Sequence, residues 1–168
     1  MKLRAATVED ALAISEIRVA AWRAAYKEFM PSGFLDALDP KQGLSNWQER
    51  LGHAPAGWCA TVAEQDEKVV GFAIVGLPRY QTSADLELWA LNVHPFCWRC
   101  GIGRMLTHHA VEIARLMGSK AIELWCLRGN IAAQTTYEGC GFYVTEHVRS
   151  SSQLIGHPLH EVLYAKAL

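Results

Sequence analysis

The sequence predicts a mixed α/β fold with a mostly antiparallel central sheet flanked by helices, as a single domain over residues 1–168. Segments with the two-residue apolar period of strands occupy the middle of the chain and recur near its end. A segment with a helical period separates the strands predicted over residues 86–93 and 121–126, and a strand, a crossover helix and a further strand pair in parallel. A chain of 168 residues that is 51% hydrophobic suits one well-filled core.

The N-terminal region is predicted to be a short edge strand followed by a helix. Residues 2–6 form the strand, and Thr7 with Asp10 three positions later has the spacing of a capping box, which starts a helix. Apolar side chains then recur with a helical period and form one stripe, which comprises Ala11, Ile14, Ile17, Ala21, Trp22 and Tyr26.

Further along, the predicted structure changes from helix to strand. Pro31 and Pro40 break the helical region, and residues 42–51 predict a polar helix. The apolar period then becomes two over residues 58–63 and 69–77, which a polar turn joins. These two segments are expected to form an antiparallel hairpin.

The second half of the chain is predicted to complete the sheet. A loop over residues 78–83 precedes the strand at 86–93, and the crossover helix is expected over 103–117, ending at Gly118. Two closing antiparallel strands are predicted at the end of the chain, over 142–148 and 161–165, with a polar loop over 149–160 between them.

A glycine turn lies where the period changes from strand to helix. Gly101 and Gly103 let the backbone turn closely, so that several N–H groups at a helix start can point at one anion with the help of the helix dipole. The turn therefore favours a phosphate group. It has neither the Gly-Lys-Ser/Thr of a nucleoside triphosphate loop nor the three glycines of the dinucleotide fingerprint.

This turn resembles the pyrophosphate loop of the GNAT superfamily of acyl-CoA-dependent N-acetyltransferases, written Gln/Arg-x-x-Gly-x-Gly/Ala. The matching positions are Trp98, Gly101 and Gly103. Trp98 departs from the pattern, and an arginine, Arg99, follows it. Backbone donors survive this change, whereas a side-chain contribution from the first position does not follow from the resemblance.

A second segment, residues 130–142, resembles the other signature of the same superfamily, Asn-x-x-Ala-x-x-x-Tyr-x-x-x-Gly-Phe, at every fixed position. Asn130 is a good helix cap, and Ala133 and Tyr137 lie one turn apart on the same helix face. The alternative is an ordinary helix with a core tyrosine and a glycine stop. Two patterns in the right order favour the superfamily.

The resemblance implies the acyl-CoA N-acyltransferase fold, with acetyl-CoA as cosubstrate and no metal. It also implies that the pantetheine arm binds the backbone near residues 91–93 and that the pyrophosphate binds the glycine turn. The residues implied to bind the coenzyme are Leu91, Val93, Trp98, Arg99, Cys100, Gly101, Ile102, Gly103, Arg104, Asn130, Ala133 and Tyr137.

The implied reaction moves an acetyl group from acetyl-CoA to a primary amine by direct attack in a ternary complex. An amine with a pKa of about 10 must lose a proton before it attacks a thioester, so a base or a water chain must collect that proton. The resemblance assigns to Tyr137 the protonation of the departing sulfur. The resemblance also makes Glu87 a candidate base, because it lies eleven residues before Trp98, as a glutamate base does in some relatives. The alternative is a salt-bridged structural carboxylate, and Glu123 on the neighbouring strand is a weaker candidate.

The acceptor is expected to be a small-molecule amine or a peptide N-terminus. Trp22 and Tyr26 resemble the N-terminal helical region that walls the acceptor pocket in one branch of the superfamily, although aromatic residues in a helix stripe are commonly core. The competing functional class is a non-catalytic acyl-CoA-binding sensor or regulatory module.

Composition excludes several partners. Sixteen basic and 17 acidic side chains give a net charge of −1 with no basic block, so we expect neither nucleic acid nor a membrane as partner, while a homodimer stays open. Acidic residues near the start argue against a signal peptide, and an odd number of cysteines, five, suits the reducing cytoplasm. Cys97 and Cys100 have the spacing of half a metal or redox site, but no second pair accompanies them.

Overall fold

A computed structural model describes residues 1–80 and 84–168, and within them a 7-stranded sheet forms the centre. The strands are β1 (Lys2–Ala5), β2 (Cys59–Gln65), β3 (Lys68–Gly76), β4 (Leu86–Val93), β5 (Ala121–Leu127), β6 (Tyr143–Ser151) and β7 (Leu159–Ala167). Their spatial order is β1-β2-β3-β4-β5-β7-β6. The pair β4 and β5 is parallel and the other neighbours are antiparallel, which confirms the predicted fold class.

Helices cover both faces of this sheet. They are α1 (Ala11–Ala25), α2 (Ser32–Asp36), α3 (Leu44–Gly52), α4 (Ile102–Leu116) and α5 (Ile131–Glu138), with short 3₁₀ turns at Val8–Asp10 and Pro95–Cys97. None of the helices in the described ranges is long and apolar enough to cross a membrane.

Strand β3 shows why the middle of the chain is apolar on both sides. Phe72 and Ile74 pack with Ile14 and Ile17 of α1, whereas Ala73 and Val75 pack on the opposite face in the cluster that contains α4. Because alternate side chains of a strand point to opposite faces, a strand covered on both faces needs apolar residues at successive positions.

The predicted elements are found with small shifts of their ends. The predicted start of the first helix is instead the 3₁₀ turn, in which the backbone N–H of Thr7 donates to the Asp10 carboxylate at 2.8 Å. The predicted loop 78–83 falls partly on residues 81–83, which lie outside the described residues. The two closing strands are longer than predicted, and β7 lies between β5 and β6 in the sheet.

Candidate active site

The sheet opens between its two parallel strands. β4 and β5 pair only at Leu86 with Ile122 and at Glu87 with Glu123, although both strands continue beyond that point. In the pairing of β3 with β4, Ile74 opposes Ala90 and Val75 opposes Leu88, so Trp89 is an extra residue. Such a bulge bends its strand. The bulge lies where β4 separates from β5, and it leaves the later parts of both strand edges without a neighbouring strand.

A cavity of about 760 Å³ lies along these separated edges. Its walls come from the last residues of β4 and β5, the glycine turn with the start of α4, helix α5, and the end of α1. A space of this size, open at the edge of a strand, can hold an extended ligand whose amide groups bond to the strand backbone.

The glycine turn gives one end of the cavity its anion-binding character. Gly101 precedes α4 with a φ of +80°, a left-handed conformation that other residues adopt only with strain. The first N–H groups of a helix have no partner within that helix, so those of residues 102–104 are available to a ligand. A Cβ atom built on Gly103 would lie 3.6 Å from Cγ2 of Thr136, so the folded chain itself does not require glycine there.

Trp98 braces the turn against strand β4. Its indole Nε1 donates a hydrogen bond to the backbone oxygen of Val93 at 2.7 Å. Arg99 follows with a φ of +61°, which is uncommon for a residue with a side chain. The tryptophan at the first position of the loop pattern therefore fixes the turn to the strand, and both residues line the cavity.

Helix α5 supplies the opposite wall. The side-chain oxygen of Asn130 accepts a hydrogen bond from the N–H of Ala133 at 3.3 Å and so caps the helix. Ala133 and Tyr137 both line the cavity, one helical turn apart. The small side chain of Ala133 leaves room for a ligand beside it.

Tyr137 lines the cavity, and its phenol is held protonated. Its side chain is only 9% exposed, and burial, followed by the nearby Cys126, raises the pKa of Tyr137 above its ordinary value. Among the described residues, the hydroxyl has no hydrogen-bond partner. A phenol that stays protonated and unbonded in an apolar wall can donate to a group formed there.

Two other groups in the cavity wall, the Cys126 thiol and the Tyr26 phenol, are also held protonated. Burial and then the Glu161 carboxylate raise the pKa of the Cys126 thiol to about 12. Burial, with smaller contributions from Cys126 and Glu161, raises the pKa of Tyr26 to about 12. A reactive cysteine needs a lowered pKa, so Cys126 has the opposite electrostatic setting to that of a nucleophile.

Glu87 lies at the closed end of the opening and not in the cavity wall. Its side chain is 0% exposed, and both carboxylate oxygens accept hydrogen bonds from Arg79, which donates its backbone N–H at 2.9 Å and its guanidinium Nε at 3.0 Å. Glu123, its partner in the strand register, is also buried. A role for Glu87 as base requires Arg79 to release it, and that role stays a prediction.

Most of the predicted site residues come together in the cavity wall. Those that do so are Tyr26, Leu91, Val93, Trp98, Arg99, Gly101, Ile102, Gly103, Arg104, Asn130, Ala133 and Tyr137. Cys100 is exposed outside the wall. Trp22 packs on Tyr26 with ring centroids 5.4 Å apart and lies behind the wall in a core cluster.

Several cavity residues have no motif that marks them. These are Ala21, Ala24, Ala25, Asn92, Cys97, Trp125, Cys126, Leu127, Ala132, Thr136 and Glu161. The three alanines share one face of α1, and such a run of small residues is a usable signal. No sequence signal marks Glu161, because carboxylates are common near the ends of strands.

The described part of the chain contains no group of three or more His, Cys, Asp or Glu side chains that could hold a metal ion. Cys97 and Cys100 are free cysteines.

Comparisons with known proteins identify the family. Residues 19–142 match the acetyltransferase (GNAT) family. An N-acetyltransferase from Bacillus subtilis, YuaI, is 30% identical over 131 residues, which are 76% of this chain and 72% of that protein. The chain belongs to the GNAT acetyltransferase family. It is therefore an acyltransferase, as the sequence predicted.

Solved structures of GNAT proteins share the fold. PaiA N-acetyltransferase from Thermoplasma acidophilum, in complex with coenzyme A, superposes with a TM-score of 0.77 at 17% identity over 99% of this chain and 98% of that one. A Salmonella typhimurium protein solved with its cofactor acetyl-CoA gives a TM-score of 0.72 at 24% identity over 100% of this chain and 94% of that one.

Proposed function

We propose that residues 1–168 act as one domain that transfers an acetyl group from acetyl-CoA to a primary amine by direct attack in a ternary complex. The observation that carries this proposal is the cavity between β4 and β5, which has the glycine turn at one end and Tyr137 in its wall. Membership of the GNAT family and the coenzymes in the two solved structures support acetyl-CoA as the donor.

The coenzyme is proposed to lie along the opening of the sheet. Its pyrophosphate binds the N–H groups of residues 99–104, where the helix dipole and the Arg99 and Arg104 side chains favour negative charge. The N–H of Trp98 is not among them, because it donates to the backbone oxygen of Pro95 at 3.2 Å. Its pantetheine amides bond to the free edge of β4 at residues 91–93, in the manner of an added strand. Trp98 occupies the Val93 oxygen, so that oxygen is not one of the pantetheine partners.

The chemistry needs one proton removed and one supplied. The amine nitrogen, once neutral, attacks the thioester carbonyl carbon, the N–C bond forms, and the C–S bond breaks. Tyr137 donates its hydroxyl proton to the departing sulfur, for which its raised pKa keeps it protonated. The nitrogen then loses a second proton as it becomes an amide, and an equal proton returns to the Tyr137 oxygen, so that the phenol is restored. Direct attack needs no covalent enzyme intermediate, and the raised pKa of Cys126 supports its absence.

The proton of the amine is proposed to leave through Glu87 or a water chain. Tyr26 is proposed to line the acceptor side of the cavity, with Trp22 packed behind it. The acceptor is proposed to be a small-molecule amine or a peptide N-terminus, and the site of action the cytoplasm. A homodimer is compatible with this chemistry, which one copy of the cavity can carry out.

The test is an assay of free thiol released from acetyl-CoA with a panel of primary amines, in the wild type and in Tyr137→Phe. The substitution keeps the ring and removes the hydroxyl. Because general acid assistance is typically worth about 10²- to 10⁴-fold, turnover is expected to fall by that order at neutral pH while acetyl-CoA affinity stays nearly unchanged.

Tyr164→Phe is the matched control. Tyr164 is also buried and its hydroxyl donates to Glu138 at 3.0 Å, but it does not line the cavity, so stability is expected to fall without a loss of turnover. Equal turnover in wild type and Tyr137→Phe would refute the role of Tyr137. Tight binding of acetyl-CoA with no thiol release for any amine would favour a sensor.

A further inference from the structure

The cavity that Tyr137 lines reaches both faces of the sheet. Cys126 of its wall belongs to the core cluster that contains α4, so its neighbours Trp125 and Leu127 point to the opposite face. Leu127 packs there with Tyr26 at the end of α1. The coenzyme is proposed to lie on the side of α4 and α5, which leaves the α1 side of the cavity for the acceptor.

The cavity wall on the α1 side is apolar and aromatic. Alanines three and four positions apart share one face of α1, and their short side chains leave space beside the helix. Strand β5 adds a large aromatic ring and a leucine. We call these residues the acceptor wall: Ala21, Ala24, Ala25, Tyr26, Trp125 and Leu127.

The polar side chains beside the acceptor wall provide no unpaired charge. Asn92 opposes Phe72 of β3, which packs on α1, so the uncharged Asn92 amide is on this face. Glu161 opposes Leu127 in the strand register and is the one carboxylate that lines this cavity among the described residues. Arg149 donates its Nε to Oε2 of Glu161 at 2.6 Å. A charged substituent of the acceptor would lose water here without gaining a free ion-pair partner, which costs free energy.

Trp125 is held in place from behind. The Arg149 guanidinium lies 4.3 Å from the ring centroid of Trp125 and 4.5 Å from that of Tyr80. Arg149 lines a second, smaller cavity of about 320 Å³ and not the larger one, so it supports the indole without covering the part in the acceptor wall. A fixed aromatic ring offers a flat apolar surface on which an alkyl or aryl group can pack.

An apolar wall also favours the form of the amine that reacts. Burial without a free carboxylate nearby disfavours the ammonium ion, so the pKa of a bound amine falls and more of it is neutral. The neutral amine is the nucleophile of the proposed reaction.

We propose that the acceptor is a small primary amine whose substituent is an uncharged alkyl or aryl group that packs on the acceptor wall. This inference rests on the proposed acetyl transfer and names its substrate class. Trp125 and Ala24 are then specificity-determining residues, Trp125 because it supplies contact area and Ala24 because it leaves space.

The experiment compares five amines: phenethylamine, ethylamine, butylamine, and two analogues of butylamine that end in a second ammonium or in a carboxylate. Two measurements are made on each, namely thiol release from acetyl-CoA and calorimetric titration of the amine into the CoA-saturated protein. The variants are Trp125→Leu, which removes the ring, and Ala24→Leu, which fills the space with a residue that suits a helix.

Each variant has a matched control outside the cavity. Trp58→Leu removes another half-buried indole, and Ala13→Leu enlarges another half-buried alanine of α1. A thermal melt of every variant reports whether the fold survives. Should Trp125→Leu lower the Tm strongly, Ala24→Leu decides the outcome.

The wild type is expected to prefer butylamine and phenethylamine over both charged analogues by about tenfold or more in kcat/KM, with the same order in calorimetric affinity. Trp125→Leu and Ala24→Leu are each expected to lower kcat/KM for phenethylamine about tenfold more than for ethylamine, which is too small to fill the wall. Both controls are expected to keep the wild-type order and rates.

A preference for either charged analogue, in turnover or in affinity, would overturn this inference and leave the proposed function standing. Equal losses for phenethylamine and ethylamine in Ala24→Leu would do the same. If the protein binds CoA but releases no thiol with any amine, the proposed function fails, and this inference fails with it.

Discussion

Burial keeps three groups that line the larger cavity, the Tyr137 and Tyr26 phenols and the Cys126 thiol, in their protonated forms. The pKa of Tyr137 is raised by desolvation, and those of Tyr26 and Cys126 rise to about 12. Since the protonated phenol is the active form of Tyr137, its ionisation is not expected to reduce activity at any pH below its ordinary value of about 10. If the rate falls as the pH rises towards about 10, the ionisation of another group must cause that loss.

Glu87→Gln tests whether Glu87 acts as the general base. If Glu87 takes the amine proton, or orders the water that does, the substitution is expected to lower turnover at neutral pH, and the remaining activity is expected to rise steeply with pH because free amine becomes available. The measurement is kcat and kcat/KM across pH.

The alternative is that Glu87 has a structural role in its ion pair with Arg79. A wild-type rate and pH profile together with a lowered Tm would assign Glu87 to holding Arg79 in place, since the substitution leaves the guanidinium, 42% exposed, without its charged partner. Glu146→Gln, which removes an exposed carboxylate on β6, is the control for the loss of one negative charge.

The role of a residue could be predicted from the sequence where a backbone conformation or a helix cap favours one residue type. Gly101 at positive φ and Asn130 as a helix cap belong to this class. Glu161 and Trp125 do not, because their place in the cavity depends on β7 lying beside β5, which no local pattern shows. The pairing of Glu87 with Arg79 could not be predicted either, because the sequence allowed a salt bridge for Glu87 without identifying its partner.

At the scale of elements, the start of α4 joins three parts of the site. Gly101 turns the chain, Trp98 ties the turn to β4, and Thr136 of α5 lies near Gly103. The periodicity of the apolar residues was enough to find β4 and α4, because both pack in one core cluster. It could not show the bulge at Trp89, which is a difference in register between neighbouring strands.

Gly103→Glu tests whether this element binds the pyrophosphate. The added Cβ has ordinary contacts, 3.6 Å to Thr136 and 3.9 Å to Leu91, so the fold is expected to survive. A carboxylate beside the unpaired N–H groups would compete with and repel the pyrophosphate, and binding of CoA is expected to be lost. Calorimetry gives the affinity and a thermal melt gives the stability.

Gly33→Glu is the matched control for that substitution. Gly33 lies in α2, and a Cβ there would meet no heavy atom within 4 Å, so the same charge is added without a neighbour and outside the cavity. CoA affinity in Gly33→Glu is expected to equal that of the wild type. Normal binding by Gly103→Glu would exclude the pyrophosphate from this turn.

For the molecule as a whole, the sheet is two parts joined by a short parallel contact. The part from β1 to β4 and the part from β5 to β6 meet through two paired positions, at Leu86 and Glu87. The order of elements predicted a parallel pair here, but not how short it is. A ligand bound along both edges would supply contacts that the chain lacks.

Coenzyme binding is therefore expected to tighten the opening of the sheet. Amide hydrogen exchange, measured by mass spectrometry, should slow in peptides that cover residues 88–106 when CoA is added, because pantetheine and pyrophosphate cover the free edge of β4 and the first N–H groups of α4. The hairpin of β2 and β3 has its backbone bonds within the sheet, so its exchange should change little.

At 100 times the Kd, CoA should also stabilise the fold by about 2.7 kcal/mol, which a rise in Tm reports. Gly103→Glu should lose both effects together, and uniform slowing across all strands would show general stabilisation without the bridging of β4 and β5.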